Sequence, residues 1–128
     1  MNKPFNIYII SEDNVLNALL GNLLKMGLSS SVVSYYKSFS AVKSIEENAV
    51  VDLVILDDII TGSASHEIAN ILRQKKKIRC PVYYLSNAEY GEEKKALYSG
   101  ATYFFKKPFN PEEIIQHIIE KTKTKIPE

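Results

Sequence analysis

The sequence predicts a single α/β domain in which a parallel five-stranded sheet lies between two layers of helices, a three-layer sandwich. Short apolar runs alternate five times with segments whose apolar residues recur every three or four positions. Such alternation is typical of a parallel sheet covered on both faces. The 128 residues suit one domain, with a core expected over about residues 5–120 and a polar tail over 121–128.

The first half of the chain supplies three strands and two helices. The apolar run over 5–10 is predicted as the first strand, and a helical repeat then extends to Gly27, a common helix stop. Residues 31–36 are predicted as a strand of weaker apolar character, at a sheet edge, and residues 40–48 as a short helix. Residues 51–56 form the most continuous apolar run, so this strand is expected at the sheet centre. The apolar repeat of the first helix consists of Val15, Leu16, Leu19, Leu20, Leu23 and Leu24.

The second half of the chain completes the sheet. Residues 64–75 are predicted as a helix, and residues 81–85 as a strand whose first position is proline, where a strand tolerates that residue. Residues 89–99 are predicted as a weakly apolar helix closed by Gly100, and residues 102–105 as the fifth strand.

The last helix has the clearest start signal. Asn110 is suited to the N-cap, Pro111 to the first turn and Glu113 to a hydrogen bond back to the cap. Helical spacing also predicts which residues of the 64–75 helix and the last helix face inward, namely Ile68, Ile71, Leu72, Ile114, Ile115, Ile118 and Ile119.

Composition argues against several classes of function. A net charge of +1 gives no global field for nucleic acid or an anionic membrane, and the basic run over 73–79 is predicted to be helix-end cations. No apolar run spans a bilayer, and residues 1–4 lead into a strand without a signal peptide. His66 and His117 lack partners at metal-ligand spacing. The one cysteine, Cys80, is expected to be a small buried side chain, which favours a reducing cytoplasm.

Three polar residues come at the ends of predicted strands. Asp57 follows the most apolar strand, Glu12 follows the first strand, and Lys107 follows the fifth. Ligands of open α/β sheets bind at the carboxyl ends of the strands, so these residues are expected to share one pocket. There a carboxylate could take a phosphoryl group, an acid could hold a metal, and a lysine could neutralise the product.

With these positions the chain resembles the receiver domains of two-component response regulators, over about residues 6–119. The resemblance is carried by the joint spacing of Ser11-Glu12, Asp57, Ser86, Phe104 and Lys107-Pro108. It implies a flavodoxin-like fold with strand order 2-1-3-4-5. It also implies a cis peptide between Lys107 and Pro108.

The resemblance assigns roles to the matching residues. Asp57 matches the phosphoacceptor, which takes a phosphoryl group from a histidine kinase or a phosphotransfer protein. Ser86 matches the switch hydroxyl, Phe104 the aromatic residue that moves with it, and Lys107 the ammonium that faces the phosphoryl oxygens. Such a domain catalyses at most its own phosphorylation and dephosphorylation. Each residue also has a plain structural interpretation: strand-end acid, turn serine, solvated lysine or buried aromatic.

The resemblance further implies a bound Mg²⁺, an ion that takes oxygen ligands. Its expected donors are Glu12, Asp57 and the backbone carbonyl of Ile59, with Asp13 as an alternative donor. Ser11 stands where the family has a first acid, so we expect weaker metal binding. The alternative interpretation of Glu12 and Asp13 is a pair of acids that complement the dipole of the following helix.

Other departures leave a second interpretation open. Thr61 replaces a proline of the family pattern, which predicts a less rigid loop, and Asn87 occupies a place that is usually small. With Ser11, these changes are compatible with a pseudo-receiver, a protein-interaction module that no longer uses phosphorylation. An unrelated nucleotide-binding or flavin-binding fold would need glycines in the first βα loop, and residues 11–14 contain none.

The output surface is expected on the 89–99 helix, the fifth strand and the last helix. Its candidate contact residues are aromatic or basic, as in many protein interfaces: Tyr90, Lys94, Tyr98, Tyr103 and Lys106. The resemblance implies that this surface binds an output partner or a second copy of the chain.

Overall fold

The computed structural model describes residues 4–58, 65–86, 97 and 99–122, apart from the side chains of residues 65 and 66. The five predicted strands form one parallel sheet in the order β2-β1-β3-β4-β5, as the resemblance implied. The strands are β1 (Phe5–Ile10), β2 (Ser31–Tyr36), β3 (Leu53–Asp57), β4 (Val82–Ser86) and β5 (Tyr103–Lys106). β2, the least apolar of them, lies at an edge as predicted.

Helices cover both faces of this sheet. Those in the described ranges are α1 (Asn14–Gly27), α2 (Phe39–Lys43), α3 (Ser65–Gln74) and the C-terminal helix (Pro111–Thr122). The predicted cap of the C-terminal helix is confirmed, because the Asn110 side chain accepts the Glu112 N–H at 3.0 Å. No helix in this part of the chain is long and apolar enough to cross a membrane.

The central strand β3 divides the apolar core into two layers. All five of its residues are buried. Val54 and Leu56 pack with α2 and α3, whereas Leu53 and Ile55 pack with α1 and the C-terminal helix. Successive side chains of a strand point to opposite faces, so one continuous apolar run serves both layers. Full burial of each such side chain contributes roughly 1.5–3 kcal/mol.

Helix α1 buries a narrower face than its apolar residues predict. Val15 is 78% exposed and Leu19 is 42% exposed, so only part of the apolar repeat of α1 faces the sheet. The buried stripe has helical spacing and consists of Asn17, Leu20, Gly21 and Leu24. Asn17 is tolerated there because its Nδ2 donates to the carbonyl of Ser11 at 3.0 Å.

Helix α2 ends at Lys43, before the predicted end at residue 48. The hydroxyl of Ser44 donates to the carbonyl of Ala41 at 2.5 Å, a local bond that competes with continued helix. Asn48 has a φ of 62°, a left-handed conformation that asparagine tolerates. The predicted 89–99 helix, apart from isolated positions, and the tail beyond Thr122 lie outside the described residues.

Candidate functional site

The carboxyl edge of the sheet brings together the polar residues that the sequence placed at strand ends. Asp57 and Ser86 are the last residues of β3 and β4, while Ser11 and Lys107 directly follow β1 and β5. Ser11, Asp57 and Ser86 are fully buried. The parallel arrangement of β1, β3, β4 and β5 brings these ends to one edge of the sheet.

Asp57 is a buried carboxylate with a partner on each oxygen. The Ser11 hydroxyl donates to its Oδ2 at 2.5 Å, and the Lys107 ammonium forms an ion pair with its Oδ1. Burial raises the pKa of Asp57, and the neighbouring Asp58 charge raises it further, against the lowering effects of Lys107 and Ser11. The Lys107 ammonium and the Ser11 hydroxyl therefore stabilise the charged form of a carboxyl group that burial disfavours.

Asp58 is a member of this site that the sequence interpretation missed. Its Oδ1 accepts from the Lys107 ammonium at 2.7 Å, and its Oδ2 accepts from the Ser86 hydroxyl at 3.0 Å. Strict alternation would place Asp58 on the face opposite Asp57, but β3 ends at Asp57 and alternation no longer applies beyond it. The one sequence signal was the adjacent pair of acids at the strand end.

Lys107 links the two acids. Burial lowers its pKa, but hydrogen bonds and charge attraction from Asp57 and Asp58 outweigh burial, so the pKa is raised above its ordinary value. Its backbone N–H donates to the carbonyl of Ser86 at 2.8 Å, which continues the pairing of β4 with β5 past the end of the strand. The peptide between Lys107 and Pro108 is cis, as the resemblance implied.

The acids after β1 differ in what they do. Asp13 is the N-cap of α1, because its Oδ1 accepts the N–H groups of Val15 at 3.0 Å and Leu16 at 3.1 Å. Asp13 therefore caps the first turn of α1. Glu12 is half-buried beside it. Ser11 is held in place because its Oγ accepts the Asp13 N–H at 3.0 Å.

Residues 7–119 match the sequence pattern of the family described as response regulator receiver domain. This chain belongs to that receiver family. No curated protein matches the chain significantly.

Solved receiver structures share the fold. A CheY-like receiver domain protein from Methanospirillum hungatei JF-1 superimposes with a TM-score of 0.81 at 18% identity, covering 95% of this chain and 96% of the other. The BeF3-activated DrrB receiver domain superimposes with a TM-score of 0.79 at 17% identity, covering 94% of this chain and 99% of the other. The chemotaxis response regulator CheY4 of Vibrio cholerae superimposes with a TM-score of 0.77 at 18% identity, covering 92% of this chain and 98% of the other. At these identities the likeness shows the fold alone.

Two predicted residues of the receiver lie on opposite faces of β5. Phe104 is half-buried in the layer with α3, and its ring centroid lies 5.8 Å from that of Tyr84. Tyr103 is half-buried in the other layer, 4.8 Å from the ring of Tyr83. Lys106, at the end of the strand, is exposed. Of the candidate contact residues of the output surface, only Tyr103 and Lys106 therefore belong to the described residues.

Other predicted positions of the receiver lie outside the described residues, namely Ile59, Thr61, Asn87, Tyr90, Lys94 and Tyr98. Cys80 packs against the apolar core as expected, but it is half-buried rather than buried. His117 contributes Nδ1 to a hydrogen bond of 2.7 Å with the Tyr83 hydroxyl and contacts the rings of Tyr103 and Phe105. The His117 ring therefore belongs to an aromatic cluster.

Proposed function

We propose that this receiver domain accepts a phosphoryl group on Asp57 from a histidine kinase or a phosphotransfer protein, in a Mg²⁺-dependent reaction, and thereby switches an output surface. The observation that carries the proposal is the buried Asp57 carboxylate, held between the Lys107 ammonium and the Ser11 hydroxyl. Family membership supports it. A single cysteine, Cys80, suits the reducing cytoplasm in which we place this reaction.

The proposed reaction is a phosphoryl transfer between two anions. A carboxylate oxygen of Asp57 forms an O–P bond, and the P–N bond to the donor histidine breaks. The donor imidazole leaves with the electron pair and takes up a proton. Lys107 already contacts Asp57, so its ammonium is placed to offset the charge of the phosphoryl oxygens.

The oxygen donors near Asp57 fit Mg²⁺ even though Ser11 replaces an acid. Mg²⁺ keeps several waters and needs few protein ligands. Glu12, Asp57 and the backbone carbonyl of Ile59 would hold the ion, which would supply positive charge beside the phosphoryl group. In residues 4–58, 65–86 and 99–122, no three His, Cys, Asp or Glu side chains form a metal-binding group. The proposed donor set contains two acids, Glu12 and Asp57.

The proposed switch links the phosphoryl group to the output surface. Ser86 would turn its hydroxyl toward the phosphoryl oxygens, and Phe104 would repack against Tyr84 in response. The partner, an output protein or a second copy of the chain, would contact the aromatic and basic surface that includes Tyr103 and Lys106.

Intact-mass measurement after incubation with Mg²⁺ and acetyl phosphate tests the proposal. The wild type should gain one phosphoryl group, and Asp57→Asn, which keeps the size of the side chain, should gain none. Glu47→Gln changes an exposed acid on the loop before β3 and should label like the wild type. Labelling that persists in Asp57→Asn contradicts the assignment of Asp57.

Two adjacent lysines offer a second, matched comparison. Lys107→Ala removes the ion pair with Asp57 and should slow labelling by about tenfold or more. Lys106→Ala removes an exposed ammonium from the end of β5 and should leave the rate unchanged. Equal effects of the two substitutions would count against a role of Lys107 in the reaction.

The alternative function is a pseudo-receiver that binds partners without phosphorylation. The observation that favours it is the Ser11 hydroxyl, a neutral group bonded to Asp57 where the family carries an acid. A folded wild type that takes no label under the conditions above would favour this alternative.

A further inference from the structure

Asp58 competes with Asp57 for the groups that a phosphoryl group would need. Ser86 donates its hydroxyl to Asp58 Oδ2 at 3.0 Å, and Lys107 contacts both Asp57 and Asp58. Asp58 is one residue beyond the proposed phosphoacceptor, and its side chain is 19% exposed. The Ser86 hydroxyl and the Lys107 ammonium are thus both bonded to Asp58, an acid that has no assigned role in the proposed reaction.

The backbone fixes this arrangement. The Asp58 N–H donates to the carbonyl of Leu85 at 3.0 Å, and the Lys107 N–H donates to the carbonyl of Ser86 at 2.8 Å. These bonds continue the pairing of β3 with β4 and of β4 with β5 beyond the strand ends. Asp58, Ser86 and Lys107 are therefore neighbours because of main-chain pairing, which does not depend on surface side chains.

Ser86 cannot keep its hydrogen bond to Asp58 and also donate a hydrogen bond to a phosphoryl group. A serine hydroxyl has one proton, so Ser86 can donate to Asp58 or to a phosphoryl oxygen but not to both. The Lys107 ammonium has three protons and can keep some contact with Asp58, but its single charge is shared between two carboxylates. An incoming phosphoryl group would also meet the negative charge of Asp58.

We propose that Asp58 is a positioning residue that holds the Ser86 hydroxyl and the Lys107 ammonium in the unphosphorylated state and thereby slows phosphorylation of Asp57. The proposal rests on the proposed function of the domain. Phosphorylation then requires the Ser86–Asp58 hydrogen bond to break, and Asp58 sets the threshold at which the switch responds to its donor.

Initial rates of labelling by acetyl phosphate with Mg²⁺, followed by intact mass, test the proposal in four proteins. Asp58→Asn removes the charge and keeps the shape, and it should label faster than the wild type, on the order of tenfold. Asp58→Glu keeps the charge and should stay close to the wild-type rate. Glu47→Gln, an exposed acid away from the site, should not change the rate.

A second measurement separates positioning from general loosening of the structure. If Asp58 acts through Ser86, the acceleration caused by Asp58→Asn should shrink in a Ser86→Ala background, because the two residues share one hydrogen bond. An acceleration of the same size in both backgrounds overturns the role through Ser86. Thermal unfolding of each variant confirms that it is folded.

The outcomes separate this proposal from the proposed function. If the wild type labels on Asp57 and Asp58→Asn labels at an equal or lower rate, the role of Asp58 is overturned and the function stands. If folded wild type and folded Asp58→Asn both take no label, the proposed function fails and the role of Asp58 fails with it. Reduction of the acyl phosphate to homoserine, followed by peptide mapping, locates the label, and label on Asp58 itself overturns both assignments.

Discussion

Ser11 is the residue at which this site departs most from the family pattern, and the structure shows what it does there. It is fully buried, donates to Asp57 at 2.5 Å and accepts the Asp13 N–H at 3.0 Å. A hydroxyl in this position satisfies one oxygen of Asp57 without adding charge. An aspartate there would place a second carboxylate against Asp57, which is tolerable mainly when a cation lies between them.

Ser11→Asp should therefore tighten Mg²⁺ binding and speed phosphorylation of Asp57. One carboxylate charge about 4 Å from a divalent ion is worth about 8 kcal/mol at an effective dielectric near 20, and desolvation of the carboxylate and of the ion cancels most of it. A net gain of roughly 1–2 kcal/mol corresponds to about ten- to thirty-fold in affinity. Calorimetric titration with Mg²⁺, for the wild type and the variant, measures this difference.

The matched control is Ser11→Ala, which removes the hydrogen bond to Asp57 without adding charge. It should not tighten Mg²⁺ binding. Unchanged affinity in Ser11→Asp would mean that the missing acid does not limit the metal site, and that the two-acid site proposed around Glu12 and Asp57 is wrong.

At the scale of whole elements, Arg73 ties α3 to the strands that carry the site. Its guanidinium donates to the carbonyls of Gly100 at 2.9 Å, Ile78 at 2.9 Å and Cys80 at 2.6 Å. It also donates to the Thr102 hydroxyl at 3.2 Å. Three loop carbonyls before β4 and β5 thus share one cation. Burial lowers the pKa of Arg73, but a guanidinium stays charged at any ordinary pH.

Arg73→Ala should lower the free energy of unfolding by about 2–4 kcal/mol, because several half-buried carbonyls lose a charged donor at once. Arg79→Ala removes an exposed cation of the same basic run and should change stability by less than about 0.5 kcal/mol. Urea unfolding of both variants measures the contrast. A similar small effect for the two would show that the bonds of Arg73 do not stabilise the fold.

The sequence was sufficient for the elements whose signal is local. The continuous apolar run of β3 and the Asn110-Pro111 start of the C-terminal helix both appear where they were predicted, within two residues. The sequence was not sufficient to predict which face of a helix is buried when apolar residues lie on more than one face. Val15 and Leu19 have helical spacing with the buried leucines but lie away from the sheet, since Asn17 and Gly21 occupy the inward positions.

The same limit applies to the candidate site. The residues predicted from strand ends, Asp57, Ser86 and Lys107, do converge, because parallel strands end at one edge. Asp58 and Arg73 were not predicted as contacts between elements, since their bonds join residues 28 to 49 and 5 to 29 positions apart. The apolar periodicity of a single helix or strand does not predict hydrogen bonds between side chains and groups of other elements.

At the scale of the whole molecule, burial of the charged Asp57 lowers the free energy of unfolding, and packing of the two apolar layers must offset this loss. Asp57 is at the end of a fully buried strand, and burial raises its pKa above the ordinary value of 3.8. A raised pKa means that the folded protein binds a proton more readily than the unfolded chain. Stability therefore falls as pH rises from about 3.8 through the raised pKa of Asp57.

Asp57→Asn should thus stabilise the protein at pH 7, because the substitution removes a buried charge and burial raises the pKa of Asp57 in the folded state. The gain should shrink as pH falls through the raised pKa of Asp57, because the wild-type carboxyl takes up its proton there. Titration of Lys107 does not affect stability between pH 4 and 7, because its raised pKa changes stability only at alkaline pH. Thermal unfolding of the wild type, Asp57→Asn and the exposed-acid control Glu47→Gln, at several pH values between 4 and 7, measures the effect. A variant that is no more stable than the wild type at pH 7 would show that Lys107 and Ser11 fully compensate the burial of Asp57, and that the buried carboxylate does not destabilise the fold.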